Sequence, residues 1–153
     1  MALLDCQTNG RTEKGGEMAM TEIVMSIKPE WVQKIFQLRK TWEIRKRRPN
    51  CDLPVKCYIW QTEGGGVVGE FICDQIEEEQ VSCITKEWLK DTEVSIEDAK
   101  KYAGDRRVLY KWRIRSIMEY ATPKTLISVC NAMIPPQSWQ YVYRGDGNGN
   151  KDS

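Results

Sequence analysis

Hydrophobic and polar positions along the chain change period several times, and each change marks an element. Ile23, Met25 and Ile27 alternate with Val24 and Ser26, which predicts a short strand. Pro29 suits the first turn of a helix, and Val32, Ile35 and Phe36 follow at i, i+3, i+4 as an apolar stripe ending near Leu38. From Thr41 to Lys46 the alternation returns, with Trp42 and Ile44 on one face and Thr41, Glu43 and Arg45 on the other. Val55 to Gln61 reads as a largely apolar strand. Gly64-Gly65-Gly66 then turns the chain, and Val67 to Ile76 returns as the hairpin partner.

The acidic stretch that follows is predicted to be helical. Thr85 can cap a turn containing Trp88 and Leu89, and Ser95-x-x-Asp98 has the form of a capping box for a helix that stops at Gly104. The longest alternation runs from Arg107 to Ile117. Val108, Tyr110, Trp112 and Ile114 face one way there, and Lys111, Arg113 and Arg115 face the other. Pro123 is expected to begin a short turn or helix, and Trp139 to Tyr143 supplies a last strand. The sum is an α+β chain, a small mixed β-barrel of five to six strands with two to three short helices, rather than a doubly wound sheet.

Polar, aperiodic ends flank this region. Residues 1–21 read as a disordered N-terminal extension, 22–143 as the domain and 144–153 as a flexible tail. Lys14-Gly15-Gly16-Glu17 before Met18 is what a purine-rich ribosome-binding site yields when translated in frame. Met18 or Met20 is therefore the expected natural start, and the source is expected to be a bacterium or phage.

Composition narrows the chemistry. With 41% hydrophobic and 29% charged residues in 153, the chain is globular in character, and no run approaches the length of a membrane span. Histidine is absent, which removes Ser-His-Asp and Cys-His catalysis and His-ligated zinc. Six cysteines show no C-x-x-C spacing, and without an export signal they read as buried, reduced thiols. We expect no metal, no cofactor, no membrane contact and a cytoplasmic location.

The net charge of +1 conceals strong local asymmetry. Residues 39–48 carry a local +5, residues 74–98 a local −7 and residues 100–115 a local +6. Two basic blocks point to an anionic partner; pairing of the blocks with one another is the equal alternative. Within the first block, Lys40-x-x-Glu43-x-Arg45 is the densest constellation. Glu43 and Arg45 share a strand face with a lysine at the helix-to-strand junction, so a carboxylate lies between two cations. Such a cleft suits a nucleobase beside a phosphate. It also suits hydrolysis with Glu43 as general base and Lys40 stabilising an oxyanion. The bland counterpart is an exposed Glu–Arg pair with solvated lysines, worth little to stability. Arg45-Lys46-Arg47-Arg48 can grip phosphates, while Lys28 and Ser138 are further candidates to line the cleft. Lys111, Arg113 and Arg115 are candidates to extend the basic surface, and the acidic block offers an adaptor surface.

These segments resemble the ASCH-domain family of the PUA-like superfold, whose hallmark is G-x-K-x-x-E-x-R after the first helix. Lys40, Glu43 and Arg45 match it, and Leu38 stands at the glycine position. Val67-Val68-Gly69-Glu70-Phe71, Tyr110-x-Trp112-x-Ile114 and Pro135-Pro136-Gln137-Ser138-Trp139 extend the likeness over residues 22–143. The resemblance implies a PUA-like barrel that binds RNA or a nucleotide-like ligand through Lys28, Lys40, Glu43, Arg45, Lys46, Arg47, Arg48 and Ser138. The alternative it implies is a small hydrolase, a ribonuclease or an N4-acetylcytidine amidohydrolase, with Lys40 and Glu43 catalytic. Against the amidohydrolase stands Glu43 where that subgroup has threonine, with Thr41 on the same face and Glu93 only loosely where its distant glutamate falls.

Overall fold

A computed structural model describes residues 19–144. Of the two expected natural starts, Met18 lies outside the described residues, as do nearly all of both expected tails. The chain runs β1 (Thr21–Ile27), α1 (Pro29–Phe36), β2 (Trp42–Arg45), β3 (Val55–Gln61), β4 (Gly66–Cys73), β5 (Ile76–Gln80), α2 (Ile96–Ala103), β6 (Val108–Arg113), β7 (Arg115–Lys124), α3 (Leu126–Cys130) and β8 (Trp139–Tyr141). Five strands form one sheet in the order β7-β4-β3-β1-β8, and three form another in the order β2-β6-β5. All neighbours are antiparallel except β1 and β3.

The class is α+β, but the expected closed barrel of five to six strands is not what forms. Two of the anticipated strands each break in two where they pass between sheets. The predicted Val67–Ile76 strand ends at Cys73, and the chain re-enters the second sheet as β5 at Ile76. The long 107–117 alternation leaves the second sheet at Arg113 and enters the first at Arg115, with Ser116 at a φ of 51°. Strands that switch sheets at such bends are how two sheets share a corner. Counting each bent ribbon once, the order is β2, β6/β7, β4/β5, β3, β1, β8, and among the described residues β2 and β8 are left as edges that do not pair with each other. That opening is where a barrel would have closed.

Three departures follow from the same topology. Residues 77–80, expected within a helical acidic stretch, are a strand, because pairing with β6 satisfies their backbone. Pro123 does not start a helix; β7 continues to Lys124, and Thr125 caps α3 by accepting from the Ser128 N–H at 3.2 Å. β6 is buried on both faces, since Trp112 enters the main core while Leu109 packs with Ile44, Ala99 and Ala103 of a second cluster. Elsewhere local chemistry decides: Ser95 caps α2 by accepting from the Asp98 N–H at 3.0 Å, and Gly104 ends it at a φ of 59°. A Cβ on Gly69 would collide with the Met118 carbonyl oxygen and the Phe36 ring, which explains a glycine inside β4.

α1 buries Val32 and Ile35 and ends in a tight reversal. Leu38 takes a φ of 64°, while the N–H groups of Arg39 and Lys40 donate to the Lys34 carbonyl at 2.9 and 3.2 Å. Leu38 is 69% exposed, so it packs little to offset a backbone conformation that suits glycine. Leu38→Gly is expected to raise stability by up to about 1 kcal/mol, since left-handed strain of about 1–2 kcal/mol exceeds glycine's entropic penalty. Urea unfolding checks this, and a loss of stability would mean that the strain is relieved elsewhere.

Candidate functional site

The reversal after α1 delivers Lys40 into the interior at the mouth of β2. Its Nζ donates to the Thr92 carbonyl oxygen at 2.6 Å, pairs with Glu43 Oε1 at 3.2 Å and lies 4.8 Å from the centre of the Trp31 ring. Glu43 Oε2 accepts from Arg45 Nε at 2.8 Å and from Arg45 Nη2 at 2.6 Å, so two guanidinium donors converge on one carboxylate oxygen while Oε1 faces Lys40. Arg45 then crosses the open seam. Its Nη2 donates to the Ser26 carbonyl oxygen of β1 at 2.9 Å, and its Nη1 donates to Ser138 O and Oγ, just before β8, at 3.3 and 3.2 Å.

This corrects the picture of an exposed pair: Lys40, Glu43 and Arg45 are 2%, 5% and 8% exposed. Burial by itself pushes the Glu43 carboxyl up, but the charges of Lys40 and Arg45, with their hydrogen bonds, outweigh it and hold the pKa below the ordinary value. Glu43 is therefore an anion at neutral pH.

The three residues form part of the wall of a cavity of about 650 Å³ between α1, β2, α2 and the segment before β8. That size lies within the range of small-molecule sites. Lys28, Lys40, Glu43, Arg45, Lys46, Arg47 and Ser138 all line it; Arg48 does not, and is exposed beyond it. Arg47 stands 4.2 Å over the Trp139 ring and donates to the Trp139 carbonyl at 3.1 Å. Trp31, Asp98, Tyr102 and Arg106 also line the cavity and were not singled out from the sequence. Asp98 and Tyr102 are four apart behind a capping box, so their shared helix face was a signal available there.

Of the second basic block only Arg106 reaches this cavity; Lys111, Arg113 and Arg115, the expected extension, do not. Lys111 is buried, donates to the Trp88 carbonyl at 2.7 Å and lies 3.5 Å from Glu77. Arg113 donates to Gln75, and Arg115 pairs with Asp74 at 2.9 Å. Glu93 pairs with Lys34 and Arg39 rather than entering the cavity. Here the acidic and basic blocks do pair with one another. Trp112 is a core residue, as expected of the alternating face, and Trp42 and Tyr110 are half-buried. Cys57, Cys73 and Cys130 are buried thiols, and burial raises the pKa of each; Cys51 is half-buried and Cys83 is exposed, unlike the uniform burial expected. No group of three or more metal-ligating side chains forms among the described residues.

No family model and no curated protein matches the sequence. Solved structures do. The ASCH protein of Zymomonas mobilis superposes with a TM-score of 0.70 at 21% identity, over 80% of this chain and 88% of that one. Two single-substitution forms of that protein, tyrosine to phenylalanine and serine to alanine, match with TM-scores of 0.70 and 0.71 at the same identity, covering 91% and 89% of their chains. The fold is that of an ASCH domain. The open two-sheet arrangement is the form this fold takes in the present chain, with Leu38 at the turn after α1.

The lowered Glu43 pKa sets an acid response. A carboxyl with a folded pKa below its unfolded value of about 4.5 stabilises the fold fully above that value and loses this contribution as pH falls through the folded one. Glu43→Gln is expected to cost about 3–5 kcal/mol at neutral pH, because two buried cations lose their shared partner. The difference from wild type should shrink at acid pH. Urea unfolding of both proteins at neutral and acid pH tests this, and a pH-independent difference would refute the buried ion-pair account.

Proposed function

We propose that the chain is an RNA-binding module whose cavity takes a nucleobase edge at its floor and a neighbouring phosphate at its rim. The observation that carries this reading is the division of charge within the cavity. Lys40 and Arg45 are already paired with Glu43, whereas Lys28, Lys46, Arg47 and Arg106 line the same space without an acidic partner among the described residues. The floor thus supplies an acceptor between donors, and the rim supplies net positive charge. Thr62 Oγ1 supports a polar occupant, since it is buried on the lining without a hydrogen-bond partner among the described residues.

Hydrolysis of RNA or a modified nucleoside with Glu43 as general base is less well supported. A carboxylate held as an anion by two cations accepts a proton poorly near neutral pH. Thr41 does not line the cavity, which further weakens an amidohydrolase reading. Cys57, Cys73 and Cys130 are buried free thiols, which suits a reducing compartment and supports the cytoplasm as the place of action. No helix among the described residues is long and apolar enough to cross a membrane.

Filter binding of a short single-stranded RNA at about 50 and 200 mM salt is the test. Affinity is expected to fall steeply with salt. The Lys28→Ala, Lys46→Ala double variant should flatten the log–log slope by about 1.4 while unfolding like wild type, because each lost phosphate contact removes about 0.7. Absence of binding at the lower salt would overturn the proposal.

A further inference from the structure

α2 contributes three cavity residues, Asp98, Ala99 and Tyr102, with Arg106 following two residues after its capping glycine. Their setting differs from that of the motif. The floor groups are buried and saturated, whereas Tyr102 is 39% exposed and Arg106 is exposed, with no side-chain partner among the described residues. Lys46 Nζ lies 4.9 Å from the centre of the Tyr102 ring, and the Lys46 backbone lies beside the Tyr102 hydroxyl. An exposed aromatic ring, held by a lysine just past the end of β2 and flanked by a guanidinium without an acidic partner among the described residues, has the makings of a stacking platform beside a phosphate grip.

The inner and outer groups line one continuous cavity. A strand whose base reaches the floor therefore leaves past α2 on its way to solvent. Resting on the RNA-binding reading above, we infer that Tyr102, Arg106 and Lys46 form an outer subsite for the adjoining nucleotide of a single strand. The second base stacks on Tyr102, and the linking phosphate lies against Arg106 and Lys46. Asp98, one helical turn before Tyr102, keeps phosphate at the Arg106 end by like-charge repulsion. The site is then built for a chain rather than for a free nucleotide, because stacking on an aromatic ring accepts any base and rewards length.

Competition anisotropy separates this inference from the reading beneath it. The probes are an end-labelled, sequence-randomised RNA octamer, the same octamer unlabelled, and the four nucleoside 5′-monophosphates. The wild-type protein is expected to prefer the octamer, and Tyr102→Ala or Arg106→Ala should each reduce the octamer-to-monophosphate affinity ratio about tenfold. Tyr102→Phe, which keeps the ring, should stay within about twofold of wild type. Both positions are exposed, and thermal unfolding of each variant establishes that it folds. An unchanged ratio in Tyr102→Ala, with the wild type still binding, overturns the outer subsite and leaves the RNA-binding reading standing. An equal loss for octamer and monophosphates likewise overturns it, since Tyr102 would then serve the inner site. Binding of neither probe overturns both.

Discussion

One buried carboxylate holds three parts of this molecule together. Glu43 lies between Lys40 and Arg45; Lys40 reaches the Thr92 carbonyl in the segment between β5 and α2, and Arg45 reaches Ser26 on β1 and Ser138 before β8. The line therefore runs from the turn before α2, through the second sheet, across the seam to the first. Burying three charges is expensive, and such an arrangement persists only where each charge finds partners. Here hydrogen bonds to three carbonyl oxygens and a hydroxyl supply them. The seam stays open as backbone and is closed by a side chain.

This changes what the K-x-x-E-x-R segment is for. The charges of a motif read as a ligand grip are already paired within the protein, and the cations left to meet an anion are those on its rim. The two roles are compatible, because a saturated floor is rigid and cannot collapse into the cavity. Its remaining directed polar atoms, and the half-buried Trp31 ring beneath Lys40, then give the space a fixed shape. Affinity for a polyanion rests with the rim charges, and selectivity with the floor.

The charge blocks show why linear patterns stop short. The −7 stretch meets the second basic stretch because β5 and β6 are register partners, Glu77 opposite Lys111, while Asp74 and Arg115 come together where both ribbons bend between sheets. Nothing in the spacing of those residues distinguishes them from Lys28, Lys46 or Arg106, whose side chains have no acidic partner among the described residues. Lys111 illustrates the limit most sharply. Alternation placed it on the outward face of a strand, yet that face is covered by the segment carrying Trp88, Leu89 and α2, and Lys111 is buried against Trp42 and Trp88.

What sequence alone determined were features settled within a few residues. The helix beginning at Pro29 and the Ser95 cap with its Gly104 stop are of this kind. So are the shared face of Glu43 and Arg45 and the exclusion of histidine chemistry. Each depends on dihedral preference, local hydrogen bonding or inventory, which act over one or two turns of chain. Tertiary structure alone decided the open seam, the breaks at Cys73 and Arg113, the burial of the motif and the entry of Trp31, Tyr102 and Arg106 into one cavity with it. Those outcomes depend on which strands pair and which layer covers which face, and they are set by contacts between residues tens of positions apart.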